Sequence, residues 1–164
     1  MILEAIDGFV PSLRKGQTLK GYAAQSRDGI RFMELGSCVI RYRKTGQGNR
    51  VIVFEVDPPV VIEHYDYLLD QISSDFSVIV FEPPGFGFSV PSMRLDYRFN
   101  TLVSLTEIFL QTLNLGSVTL VAPCVLGYGA IALAHKRRDL IDHLVLSQVP
   151  SWEEMLTWKA ERDP

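Results

Sequence analysis

Cysteine is scarce. Two occur among 164 residues, Cys38 and Cys124, far apart and without the spacing of a metal knuckle or a disulfide framework. That excludes a disulfide-stapled scaffold and points to a reducing compartment, so a cytoplasmic protein is expected. Excess positive charge is also lacking: 16 Lys and Arg stand against 19 Asp and Glu, and no long basic run occurs. Phosphate neutralisation needs clustered cations, so nucleic acid is excluded as a partner. There are only three histidines, His64, His135 and His143. No pair of His, Cys, Asp or Glu has metal-ligand spacing, and neither a metal nor another cofactor is expected. The N-terminal residues carry Glu4 and Asp7 and lack the basic flank and apolar stretch of an export signal. The one long uncharged run, residues 118–134, sits at the lower limit of a membrane span and is punctuated by Pro123, Gly127 and Gly129. A buried strand, a turn and a buried helix explain it better than a membrane does.

What is present is a large apolar fraction, 47%, enough for the core of one domain over residues 1–164. Residues 1–29 read as an extension, with Ile2, Leu3, Ile6, Phe9 and Val10 at helical spacing before Pro11. Residues 31–35 and 38–44 read as a hairpin in which Arg41 and Arg43 lie on a solvated strand face. The apolar run 51–56 is broken only by Glu55. Asp57 is placed to cap a helix that starts on Pro58 and Pro59 and turns Ile62, Tyr65, Leu68, Leu69 and Ile72 inward. A strand at 77–82, a glycine-proline loop at 83–89 and a helix at 101–113 follow; that helix presents Leu102, Leu105, Ile108, Phe109 and Leu113 to the core. The strand 118–121, a helix from about 126 to 138, the strand 143–149 and the start of a helix at 152–159 complete the pattern. Apolar strands alternating with amphipathic helices specify an α/β fold in three layers, a mostly parallel sheet covered on both faces.

Gly127-Tyr128-Gly129-Ala130-Ile131-Ala132 fits the loose Gly-x-Gly-x-x-Ala dinucleotide pattern. Its context does not fit. Ala122 to Leu126 separate it from the strand, and the next strand ends in Ser147 and Gln148 with no acid for a ribose. Close packing of helix on sheet explains the two glycines instead.

Two stretches carry a resemblance. SVIVFEPPGFGFS, residues 77–89, and VTLVAPCVLGYGAIALAHKRRDLIDHLVL, residues 118–146, resemble the fourth strand with its loop and the strand, nucleophile elbow, helix and sixth strand of the α/β-hydrolase-fold family. VIVFEVDPPVVIEHYDYLL resembles that family's third strand, oxyanion loop and first helix. The resemblance covers about residues 31–150 and implies a core over 30–150 that stops after the sixth strand. It makes 151–164 the start of a lid-like helix. It also implies an open sheet edge at the last strand through which copies could associate.

In that family the nucleophile stands in Gly-x-Ser-x-Gly on a strained strand-to-helix turn. The matching residues are Ala122, Pro123, Cys124, Val125 and Leu126, so the resemblance makes Cys124 the nucleophile and the Val125 N–H an oxyanion donor. Asp57, Pro58 and Phe86 fall at binding positions around it. Three departures stand out. Leu126 replaces a glycine, so the turn at Cys124 is expected to relax and the helix to start near Gly127. Pro58 falls where the second oxyanion N–H belongs and has none to give. No histidine after Cys124 falls at the family's base position. The implied activity is hydrolysis of an ester or thioester, incomplete or impaired in this chain, with a small ester-like ligand. The alternative is a binding or scaffold protein that keeps the hydrolase fold without its catalysis.

Overall fold

The computed structural model describes residues 29–162, and the expected helix near residues 2–10 lies outside them. Strands β1 (Ile30–Leu35) and β2 (Cys38–Thr45) form an antiparallel hairpin, and β2 pairs antiparallel with β4 (Phe76–Phe81). From there the sheet is parallel, through β3 (Arg50–Glu55), β5 (Val118–Pro123) and β6 (Ile141–Ser147). The order is β1-β2-β4-β3-β5-β6. Crossing back between parallel neighbours demands helices: a 3-10 turn (Ile62–Tyr65) running into α1 (Asp66–Ile72), then α2 (Phe99–Leu113) and α3 (Leu126–Lys136). A last helix, α4 (Trp152–Arg162), follows β6.

The three expected layers are found. On one face α2 and α3 bury Phe109, Leu110, Ala130 and Leu133 against Ile40, Tyr42, Val53, Ile79, Phe81 and Leu120. Phe109 stacks on Phe81 at 4.5 Å between ring centres and meets Tyr42 edge-on at 5.5 Å. On the other face Ile62 and Leu69 pack on Val56, Val78 and Val80. β6 is an edge strand of the described sheet, with Val145 and Leu146 exposed. Among the described residues no helix is long and apolar enough to cross a membrane.

Four local expectations are corrected. Arg41 is not on a solvated face: it is 1% exposed, because Glu82 and Glu63 wait for it on the neighbouring elements. The first helix does not begin on the prolines. Asp57 instead closes a turn, its carbonyl accepting the Val60 N–H at 2.9 Å, and helical structure starts at Ile62. On that helix Leu68 turns partly to solvent. The buried line of α2 is rotated, with Thr106, Phe109 and Leu110 inside and Ile108 exposed. Thr106 faces in because Glu55 of β3 offers its hydroxyl an acceptor.

Candidate active site

β3, β4 and β5 run parallel, so their C-terminal ends deliver three loops to one edge of the sheet. Cys124 sits at the end of β5 with φ of 49°, a left-handed conformation that costs a non-glycine residue about 1–3 kcal/mol. The surroundings enforce it. The Cys124 N–H donates to the Ser147 carbonyl at 2.9 Å, extending the β5–β6 ladder. Its carbonyl accepts the Gly127 N–H at 3.1 Å as α3 begins. The expected relaxation of this turn therefore does not occur, and α3 starts at Leu126. The reason lies in where bulk and closeness fall. The Leu126 side chain lines an open cavity instead of wedging strand from helix. The close approach is made one residue later, at Gly127, where a Cβ would collide with the Val149 side chain.

The half-buried Cys124 thiol lies beside the Asp57 carboxylate on the loop after β3, near enough to influence its ionisation. Burial pushes Asp57 above the ordinary carboxylate range, and the neighbouring thiol opposes that shift. Two residues earlier, at the end of β3, Glu55 is 5% exposed and accepts the Thr106 hydroxyl at 3.2 Å. Burial raises its pKa to about 7; the hydrogen bond from Thr106 pulls it down and the charge of Asp57 adds to the rise. Tyr65 is raised as well, by burial and then by the fields of Asp57 and Glu55. A thiol, two carboxyls and a phenol thus share one neighbourhood.

Among the described residues nothing accepts the Val125 N–H, which stays available at the helix N-terminus. Pro58 is exposed and has no N–H, and the next two donors of its loop are committed, Val60 to the Asp57 carbonyl and Val61 to His64 Nδ1. An oxyanion here finds one backbone donor where two are needed, a deficit of about 3–4 kcal/mol in transition-state stabilisation. The histidines are elsewhere. His64 is exposed in the 3-10 turn, His135 is exposed in the last turn of α3, and His143 projects from β6 beside Asp142. No interaction joins any of them to Cys124. Among the described residues no group of three His, Cys, Asp or Glu could hold a metal ion.

A cavity of about 610 Å³ opens beside the turn, between α2, the start of α3 and the loop after β4. Phe86 and Val125 line it, as do Leu126, Tyr128 and, at one wall, Glu55. Cys124, Asp57 and Pro58 do not. The sequence-derived residues therefore divide into three at the turn and the loop facing it, Cys124, Asp57 and Pro58, and two in the cavity wall, Phe86 and Val125, while Glu55 and Thr106 were missed. The signal for Glu55 was visible as the only charge in the apolar run 51–56.

The frame beneath is a buried ion network. Glu82, 0% exposed, accepts Arg41 Nη1 at 2.9 Å, the Ile62 N–H at 3.1 Å and the Phe88 N–H at 2.6 Å. Arg41 also pairs with Glu63. The Ser89 hydroxyl donates to the Glu82 carbonyl at 2.6 Å and accepts the Arg41 N–H at 2.8 Å. One carboxylate so ties the loop after β3 to the loop after β4. Gly87 lets it, since at φ of 52° a Cβ would stand in the Glu82 carboxylate.

The alpha/beta hydrolase fold family matches residues 61–162. No functionally curated protein matches the sequence. Among solved structures, a haloalkane dehalogenase loop variant from Bradyrhizobium elkanii superposes with a TM-score of 0.67 at 18% identity, over 82% of this chain and 48% of its own. An epoxide hydrolase from Vigna radiata gives 0.67 at 21% identity, over 74% of this chain and 40% of its own. E-2-(acetamidomethylene)succinate hydrolase gives 0.68 at 21%, over 81% and 50%. At such identities the likeness is one of fold, and the chain spans about half the length of the structures it matches. With the family match covering more than half of its residues, from the loop after β3 through the Cys124 turn to α4, the chain belongs to the α/β-hydrolase-fold family.

Proposed function

We propose that Cys124 is the nucleophile of an acyl-transfer hydrolase acting on esters or thioesters, and that this chain, as it stands, is catalytically impaired: it takes up an acyl group and does not turn over. The observation that carries the reading is the left-handed backbone at Cys124, a cost that packed cores retain mainly where a side chain must be presented at a turn. In the first step the thiol proton passes to Asp57 and the sulfur attacks the carbonyl carbon. The carbonyl π pair moves onto oxygen, held by the Val125 N–H. Collapse re-forms the carbonyl and expels the alkoxide or thiolate, which takes the proton back from Asp57. The product is an S-acyl Cys124. Hydrolysing it requires a base able to deprotonate water; Asp57, a carboxylate, is a poor one, and no imidazole among the described residues is in contact with the thiol. With 4-nitrophenyl acetate the chain is expected to release about one nitrophenol per molecule and then stop, a burst absent from Cys124→Ala. Sustained Cys124-dependent turnover would contradict the impairment, and no burst would contradict the nucleophile.

One observation favours a second reading. Pro58 removes an oxyanion donor independently of any missing base, as expected of a small-molecule binding or scaffold protein that keeps the fold without its catalysis. In that case the burst is absent while the cavity still binds ligand.

A further inference from the structure

Glu55 is the one ionisable carboxyl in the wall of an otherwise apolar cavity, and it is under-used. It is 95% buried by its 5% exposure, yet among the described residues it accepts a single hydrogen bond, from Thr106. An ionised carboxylate has room for about four. Asp57 adds a second negative charge close enough to be felt by Glu55, and Tyr65 feels both. No described cation answers them. Arg41 is spent on Glu63 and Glu82, and Arg43 on Asp66. Lys136 and Arg137 are both engaged by Glu107. Around the same cavity stand the rings of Phe86, Tyr97, Phe99, Tyr128 and Trp152. Its volume of about 610 Å³ suits a small organic molecule.

We propose that this cavity binds a lipophilic ammonium ion, its charged head on Glu55 and its apolar body among the surrounding aromatic rings. The three alternatives fail on the same features. An anion would be repelled by Glu55, the carboxyl in the wall. A hydrocarbon would bury Glu55 further without giving it a partner. A neutral alcohol would supply one hydrogen bond but neither charge complementarity nor attraction to ring faces. The raised pKa of Glu55 is the expected mark of a buried acid whose counter-charge is not part of the protein. The proposal goes beyond acyl transfer: the cavity shares Val125 with that reaction, but Cys124 and Asp57 lie outside its wall.

Binding of three unreactive probes of one shape to the full chain tests it: 4-phenylbutylamine, 4-phenylbutanol and 4-phenylbutyrate, titrated calorimetrically at pH 7.5 or followed by tryptophan fluorescence. The amine is expected to bind about tenfold or more tighter than the alcohol, and the carboxylate most weakly. Glu55→Gln, which keeps the shape and the Thr106 hydrogen bond, should bring the amine to the alcohol's affinity. Phe99→Ala, at an exposed position outside both core clusters, should weaken amine and alcohol alike. Cys124→Ala should leave all three unchanged, so that a failed burst and a failed amine preference are read separately. Equal affinity for amine and alcohol, a preference for the carboxylate, an amine preference that survives Glu55→Gln, or no binding of any probe would each overturn the proposal.

Discussion

Neighbouring parallel strands β4 and β3 each lead to a buried glutamate at the same edge of the sheet, Glu82 just beyond β4 and Glu55 at the end of β3, and the protein treats them in opposite ways. Glu82 is met by a guanidinium and two backbone N–H groups, every one a donor, so the network is written for the charged form. Burial raises the pKa of Glu82 on balance, but Arg41 and the two N–H groups pull against it. Glu55 is raised to about 7, with one hydroxyl and no cation to oppose burial. Equal burial thus gives one carboxyl an architectural use, holding two loops in place, and leaves the other with binding capacity unspent.

The sharpest way to break the comparison is Arg41→Ala. It strands Glu82 in a site without water access, and the expected loss is about 3–5 kcal/mol in urea denaturation at pH 7. A loss below about 1 kcal/mol would mean that the two N–H groups suffice and that the carboxyls differ less than their surroundings indicate.

Glu55→Gln acts in the other direction. A carboxyl raised from 4.5 to about 7 binds its proton more tightly in the folded chain than in the unfolded one. Its contribution to stability is therefore complete below about pH 4.5 and is lost as the pH rises to about 7, after which it stays constant. Gln removes that loss. At pH 8 the variant is expected to be more stable by up to about 3 kcal/mol, and at pH 5 the gain should fall below about 1 kcal/mol. Denaturation at both pH values measures it; a variant destabilised at pH 8 would place an undetected cation on Glu55.

The smallest effect belongs to Thr106→Val, isosteric and without the hydroxyl. A cost of about 1 kcal/mol is expected, together with a further upward shift of Glu55, since the lost bond favoured its charged form. Titration of the Glu55 side-chain carbon by NMR reads that shift directly.

The same pair of glutamates marks what the sequence made legible. The strands, crossover helices and hydrolase-like connectivity could be read from hydrophobic period and punctuation, because each element buries a face that local pattern dictates. Arg41 could not: alternation with Ile40 and Tyr42 reads as a solvated face, and its burial depends on Glu63 and Glu82, 22 and 41 residues away. The inward turn of Thr106 in place of Ile108 has the same origin, a partner on β3, 51 residues distant. At the candidate site, position was legible and conformation was not. Cys124 could be placed at the elbow by resemblance, and Leu126 argued for a relaxed turn. What decides is a cavity that accepts Leu126 and a contact between Gly127 and Val149, neither of which is local. Glu55 left a trace as a lone charge in an apolar run.

If Cys124 is the nucleophile, the strained turn presents it as the reactive thiol of the chain. Peptide mapping by mass spectrometry after exposure to a substoichiometric activated thioester at pH 7.5 tests it most directly, with Cys38, 4% exposed, as the internal control and glutathione as the free-thiol standard. A persistent acyl group is expected on Cys124, formed faster than on glutathione, with Cys38 unlabelled. Acylation of Cys124 no faster than of glutathione, or label shared with Cys38, would contradict it.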